Sequence, residues 1–177
     1  MSKPEIQIPK NRLKQFGLLL SAILLEYVGY LMIKYPNDFE SSKMSPEVVY
    51  FLGFIGCIFF GFGIAFLLFD LFSLKPAICV NSDGIYNNSS FTSNYFIRWN
   101  NINSIRLVTV NKKRMIKIDL KNEDEIYQQV NFLKSKILKL NAKFFGTPVI
   151  IADVLLKMKI EELFNLMKKE KYYTKNH

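Results

Sequence analysis

The sequence predicts an α+β protein: a transmembrane helical hairpin, then a bent antiparallel sheet with an inserted amphipathic helix and a C-terminal capping helix. Three observations predict it. Two apolar runs of bilayer length occupy most of residues 14–70. Short β-branched runs separated by polar turns extend from Ala77 to Leu120. Beyond Asn122 the apolar spacing lengthens from the two-residue period of a strand to the three-to-four-residue period of a helix.

The N-terminal segment, residues 1–72, carries the two spans, at about 14–34 and 48–70. Phe16 to Ile33 covers most of a hydrocarbon core about 30 Å thick at about 1.5 Å per residue. Val48 to Phe69 holds no charged residue and crosses comfortably. Between them Lys34 to Glu47, with Pro36, Pro46 and mixed charge, reads as a short loop. A cleaved signal peptide would have a shorter apolar region followed by a small-x-small cleavage site; here a second span follows instead. Lys3, Lys10, Arg12 and Lys14 precede the first span, and the chain after the second is rich in Lys. The loop offers Lys34 and Lys43 against Asp38, Glu40 and Glu47. By the positive-inside rule both termini are expected in the cytoplasm, in a multi-pass protein of the inner (cytoplasmic) membrane. Tyr27, Tyr30, Tyr35 and Tyr50 then fall toward the outer interface.

Within the spans two features stand out. Gly53, Cys57, Gly61 and Ala65 recur every four residues and are expected to share a helix face on which two backbones approach closely. That face packs on the first span or forms a homo-oligomer contact. Glu26 lies near the middle of the first span, where a charge costs about 2.5–3.5 kcal/mol or more. It is expected to be protonated or turned toward the other helix, sharing a face with Ala22 and Gly29 and making a structural hydrogen bond. An ion pathway would need further polar groups at that depth.

Residues 73–177 form the second part. Ala77 to Val80 reads as a strand, Asn81-Ser82-Asp83-Gly84 as a turn, and Ile85-Tyr86 as the next strand. After a polar stretch, Tyr95 to Trp99, Ser104 to Val110 and Arg114 to Leu120 follow as strands, the last two joined by Asn111-Lys112-Lys113. Their closeness in sequence predicts an antiparallel meander. Asn122 is expected to cap one helix with Ile126, Val130, Leu133, Ile137, Leu140 and Phe144 on its apolar face, ending at Gly146. Thr147 to Ile151 reads as a further strand. A last helix, from about Ile160 to Lys171, buries Ile160, Leu163, Phe164 and Met167.

The chemistry-bearing residues are few. Cys57 and Cys79 lack metal-binding spacing and read as two free, buried thiols. His177 is the only histidine, which removes the common triads and His-based metal sites. Asp83, Asp119, Glu123, Asp124, Glu125 and Asp153 are available carboxylates without a nucleophile motif, phosphate loop or metal cluster beside them. No enzyme activity, cofactor or metal is expected.

Asp83-Gly84-Ile85-Tyr86, followed by Ile97-Arg98-Trp99-Asn100-Asn101-Ile102 and Ile105, resembles the signature of bacterial pleckstrin-homology-like (PH-like) domains. Asn141, Gly146-Thr147-Pro148-Val149-Ile150-Ile151 and the final helix extend the resemblance. With the two spans, nearly the whole chain is similar to a family of small bacterial membrane proteins that combine two N-terminal transmembrane helices with a cytoplasmic PH-like domain. The resemblance implies a bent, roughly seven-stranded sheet capped by a C-terminal helix. It implies no reaction or ligand.

Charge gives the remaining expectation. From Ser73 on, eighteen Lys and Arg face nine Asp and Glu. Below an anionic leaflet each such cation contributes about 1 kcal/mol of attraction. Lys112, Lys113 and Arg114 at a hairpin tip, and Lys136, Lys139 and Lys143 on the inserted helix, are the expected contacts with membrane lipids of the inner leaflet or an anionic partner. A solvated Lys-rich surface accounts for the same residues. The alternative function is a protein-interaction factor, of assembly or immunity type, that recognises another membrane protein. Nucleic acid is not an expected partner, because the aromatic residues fall mostly at core-facing positions.

Overall fold

In the computed structural model the described residues are 5–110, 112–152 and 154–175. Lys3, Asn111, Asp153 and His177, named above, lie outside them. The chain divides into two compact units, residues 12–74 and residues 1–11 with 75–177.

The first unit is a helical hairpin. Helix α1 spans Arg12–Lys34 and α2 spans Pro46–Phe72. Both are long and apolar enough to cross a membrane. Most of their apolar side chains face outward: Leu24 is 66% exposed and Phe59 70%, which is the pattern of helices solvated by lipid rather than water. Pro46 at the first turn of α2 suits a position whose N–H has no helical partner. The loop holds a short 3₁₀ turn at Pro36–Phe39.

The second unit is antiparallel α+β. Its strands are β1 (Ile6–Ile8), β2 (Ile78–Val80), β3 (Gly84–Asn87), β4 (Tyr95–Arg98), β5 (Ile102–Val110), β6 (Lys113–Leu120) and β7 (Val149–Ala152). Its helices are α3 (Asp124–Tyr127), α4 (Phe132–Phe145) and α5 (Ile160–Lys175). The strands form two sheets, ordered β1-β2-β3-β4 and β5-β6-β7. The expected meander is therefore split. A 3₁₀ turn at Trp99–Asn101 separates β4 from β5, and the register of β5 on β6 shifts between Ile102 and Ser104.

Strand β1 was not expected. Ile6 pairs with Val80 and Ile8 with Ile78, so residues upstream of α1 complete the sheet whose other strands lie beyond α2. Ile8 is buried in the same core as Ile78, Ile97, Ile116, Leu138 and Leu163. The Asn11 N–H donates to the Leu155 carbonyl at 2.7 Å, and the Lys157 N–H to that of Pro9 at 3.2 Å.

The motif residues of the sequence have structural tasks. The Asn81 side chain accepts from the N–H groups of Asp83 and Gly84, both at 3.0 Å, and so shapes the turn. Gly84 is obligatory: a Cβ there would stand 2.1 Å from the Ile97 carbonyl oxygen. Trp99 is buried and donates from Nε1 to the Asn81 carbonyl at 2.9 Å. Asn101 is buried; it donates to the Asn122 carbonyl and accepts from the Asn122 N–H, each at 2.8 Å, tying β5 to the end of β6.

The inserted helix is corrected by the structure. Residues 124–145 do not form one helix; the chain breaks between Tyr127 and Phe132. Gln129 turns back and pairs with Phe96 of β4, accepting from its N–H at 2.7 Å and donating to its carbonyl at 2.9 Å. Asn131 then caps α4, accepting from the Lys134 N–H at 3.0 Å. Gly146, at φ 72°, ends it. The break changes which face is buried. Ile126 is buried and Val130 packs on the core, but the buried residue of α4 is Leu138. Leu133, Leu140 and Phe144 are 56%, 52% and 76% exposed. Helix α5 buries Ile160, Leu163 and Met167, with Phe164 partly buried, as its spacing predicts. Its Lys171 ammonium donates to the Ile102 and Asn103 carbonyls, both at 2.9 Å, where the β5 register shifts.

Candidate functional site

The hairpin contains two polar features. At one end Arg12 donates to the Asp70 carbonyl at 2.9 Å and to that of Ser73, and Gln15 donates to the Asp70 carboxylate. Arg12 thereby covers carbonyls at the C-terminus of α2, where a cation is favoured by the helix dipole. Gln15 is 1% exposed, so its amide needs that partner.

The other feature is Glu26. It faces α2: a Cβ on Gly61 would stand 3.8 and 3.9 Å from its two carboxyl oxygens. Its Oε2 is buried and has no hydrogen-bond partner. The expected structural hydrogen bond is therefore absent at that atom. The Cys57 thiol instead approaches the Glu26 backbone carbonyl at 3.9 Å. Nearby, Gly29 and Gly53 meet so closely that a Cβ on Gly53 would lie 2.8 Å from the Gly29 carbonyl oxygen. Gly53, Cys57 and Gly61 thus face α1, whereas Ala65 is exposed.

The basic residues singled out by the sequence occur at two places in the second unit. Lys112, at φ 64°, sits at the β5–β6 tip, with Lys113 beside it, and both are exposed. Arg114 is drawn into an ion pair with Glu161 of α5 at 2.9 Å. On α4, Lys136 lies 4.5 Å from the Phe132 ring centre and Lys139 lies 5.2 Å from that of Tyr127. Lys143 is exposed. Sequence reasoning named these lysines but not the exposure of Phe132, at 75%, beside them. The signal for it was Asn131, whose capping geometry resets the helical phase.

Asp119, Glu123 and Glu125 are held in structural pairings. Glu123 accepts from the Tyr127 hydroxyl at 2.7 Å, and Glu125 pairs with Arg98 at 3.4 Å. Burial, with the Glu123 carboxylate alongside, pushes the Tyr127 hydroxyl up. Burial also pushes the Asp119 carboxyl up, but hydrogen bonds from Ser104 and Arg106 and the charges of Arg106 and Lys117 outweigh it and hold the group below its ordinary value. Asp83 lies in the Asn81 turn, and the Asp124 N–H donates to Asn122 at 3.1 Å. A surface recess of about 470 Å³ is lined by Ser82, Asp83, Phe96, Arg98, Trp99 and Asn100, with its one cation already paired to Glu125. Among the described residues no three His, Cys, Asp or Glu groups converge as a metal site would require. Cys79 is buried in β2; burial, and then the Glu5 carboxylate, push its thiol up to about 11.

No protein family, curated protein or solved structure matches this chain.

Proposed function

We propose that this protein is a non-catalytic, membrane-anchored binding module whose basic PH-like domain contacts the anionic inner leaflet of the cytoplasmic membrane. One observation carries the reading. Eighteen Lys and Arg against nine Asp and Glu follow residue 72, on a unit joined to two bilayer-length helices by very short connections. Three residues separate β1 from α1 and five separate α2 from β2. Fully extended, they reach at most about 14 and 22 Å, so the domain is tethered by short chain lengths to the ends of the spans.

The topology supports the same reading. Strands from before α1 and after α2 share one sheet, so both flanks of the hairpin belong on one side of a bilayer. The cation-rich flanks and the mixed-charge loop favour the cytoplasm as that side. Two antiparallel sheets of four and three strands, closed by α5, are also what a PH-like domain would present.

Because β1 belongs to the domain, the test uses the full chain. Hydrogen exchange of the domain is compared in nanodiscs of phosphatidylcholine and of an equimolar mixture with phosphatidylglycerol, at low and high salt. Protection that needs the anionic lipid and fades with salt is expected. Exchange that is indifferent to lipid, with a protein partner retained at high salt, would overturn the reading in favour of a protein-interaction factor. Reporters fused to each terminus should both be active in the cytoplasm.

A further inference from the structure

We propose that α4 is an interfacial helix that enters the same anionic leaflet, placing Phe132, Leu133, Leu140 and Phe144 among the upper acyl chains and Lys136 and Lys143 at the lipid phosphates. This rests on the leaflet-docking reading and adds apolar insertion to it.

The face is large and apolar. Phe132 and Phe144 are 75% and 76% exposed, and Leu133 and Leu140 are more than half exposed. At about 100° per residue, Phe132, Lys143, Lys136, Leu140, Leu133 and Phe144 fall within an arc of about 120°. Leu138, 1% exposed, lies on the opposite side and fixes the helix to the core. Rotation to hide the phenylalanines would expel Leu138, so the exposed face is a fixed product of the fold. Both ends of the helix are satisfied by Asn131 and Gly146, so α4 needs no partner to be helical.

The charge selects the occupant. Helix α4 carries four Lys and no Asp or Glu. Lys136 and Lys143 lie within the arc, between Phe132 and Leu140, and their long aliphatic stems can lie along the apolar side chains while the ammonium groups reach the lipid phosphates. A second copy of the same face is disfavoured, because a two-fold pairing would set Lys136 and Lys143 against their own copies. The short connections supply the local concentration that a single small helix needs.

The experiment uses the full chain in nanodiscs, with Cys57→Ala and Cys79→Ala removing the native thiols. A nitroxide is placed at Phe144→Cys or Leu133→Cys, and its depth is read by power saturation with oxygen and a nickel chelate. In phosphatidylcholine with phosphatidylglycerol both probes should be oxygen-accessible and shielded from nickel. In phosphatidylcholine alone they should be open to nickel. Separately, F132S with F144S in the otherwise native chain should raise exchange of the α4 amides at least about tenfold in anionic nanodiscs, as expected for losing two inserted aromatic side chains. Nickel-exposed probes in anionic nanodiscs would overturn insertion; salt-sensitive protection elsewhere in the domain would then leave leaflet docking standing. Loss of both signals would sink both. Probes shielded even in detergent, in a concentration-dependent way, would replace the lipid by a second copy.

Discussion

Gly53 and Gly61 stand about two turns apart on α2, yet an added methyl would meet different things at each. At Gly53 it would press on the Gly29 carbonyl at 2.8 Å and the Met32 Cβ at 2.9 Å, and backbone cannot move aside. At Gly61 it would touch only the Glu26 carboxyl oxygens, at ordinary contact distance. Gly53→Ala should therefore weaken the hairpin by about 1–3 kcal/mol, the usual range for overpacking. Gly61→Ala should stay within about 0.5 kcal/mol. Detergent-unfolding midpoints of the full chain measure both, and equal effects would mean that the helices do not meet at Gly29. The small residues were visible in the sequence, but their shared face was only partly so. A four-residue step overshoots a full turn by about 40°, so three steps carry Ala65 about 120° away from Gly53. Glu26 could be seen as costly from its depth alone. That Oε2 finds no donor depends on which side chains of α2 oppose it, and helical spacing does not specify those.

Elements with one strong signal were legible and those decided by a competing contact were not. Helices α1 and α2 follow from length and apolarity, and α5 from its stripe. Strands β2 to β6 follow from β-branched runs between turns. The region 124–145 was misread because Ile126, Val130, Leu133, Ile137, Leu140 and Phe144 fit one continuous helix well. What breaks it is tertiary: Gln129 satisfies the β4 edge at Phe96, and Asn131 starts a helix in a new phase. The sign of one substitution separates the two descriptions. With Asn131 at the N-cap, Asn131→Ala should destabilise the domain by about 0.5–2 kcal/mol and hasten exchange of the Lys134 amide. Inside a continuous helix the same change would stabilise by about 0.5 kcal/mol, because Ala is the better helix former. Denaturation of the full chain in detergent, followed by exchange at Lys134, decides it.

For the molecule as a whole, the least legible feature is that its domain is assembled from both sides of the hairpin. Ile6-Gln7-Ile8 is three residues long, too short for alternation to stand out beside the long apolar run that follows. Yet Ile8 is 1% exposed in the core and β1 covers the β2 edge that carries Cys79. That cysteine reports on the arrangement. Burial, and the nearby Glu5, hold its thiol well above neutrality, at about 11, so at pH 8 it is almost wholly protonated and reacts slowly. Detaching β1 would uncover the edge and let the thiol return toward its ordinary value. In a C57A background, Ile8→Ser or removal of residues 1–9 should therefore speed alkylation of Cys79 at pH 8 by at least about tenfold, since local opening replaces burial. Thr109→Ser, on an exposed position of β5 in the other sheet, should leave the rate unchanged. Equal rates in all four proteins would mean that β1 is not seated on β2. The claim that both flanks of the hairpin share one side of the membrane would then lose its structural support and rest on the distribution of charge alone.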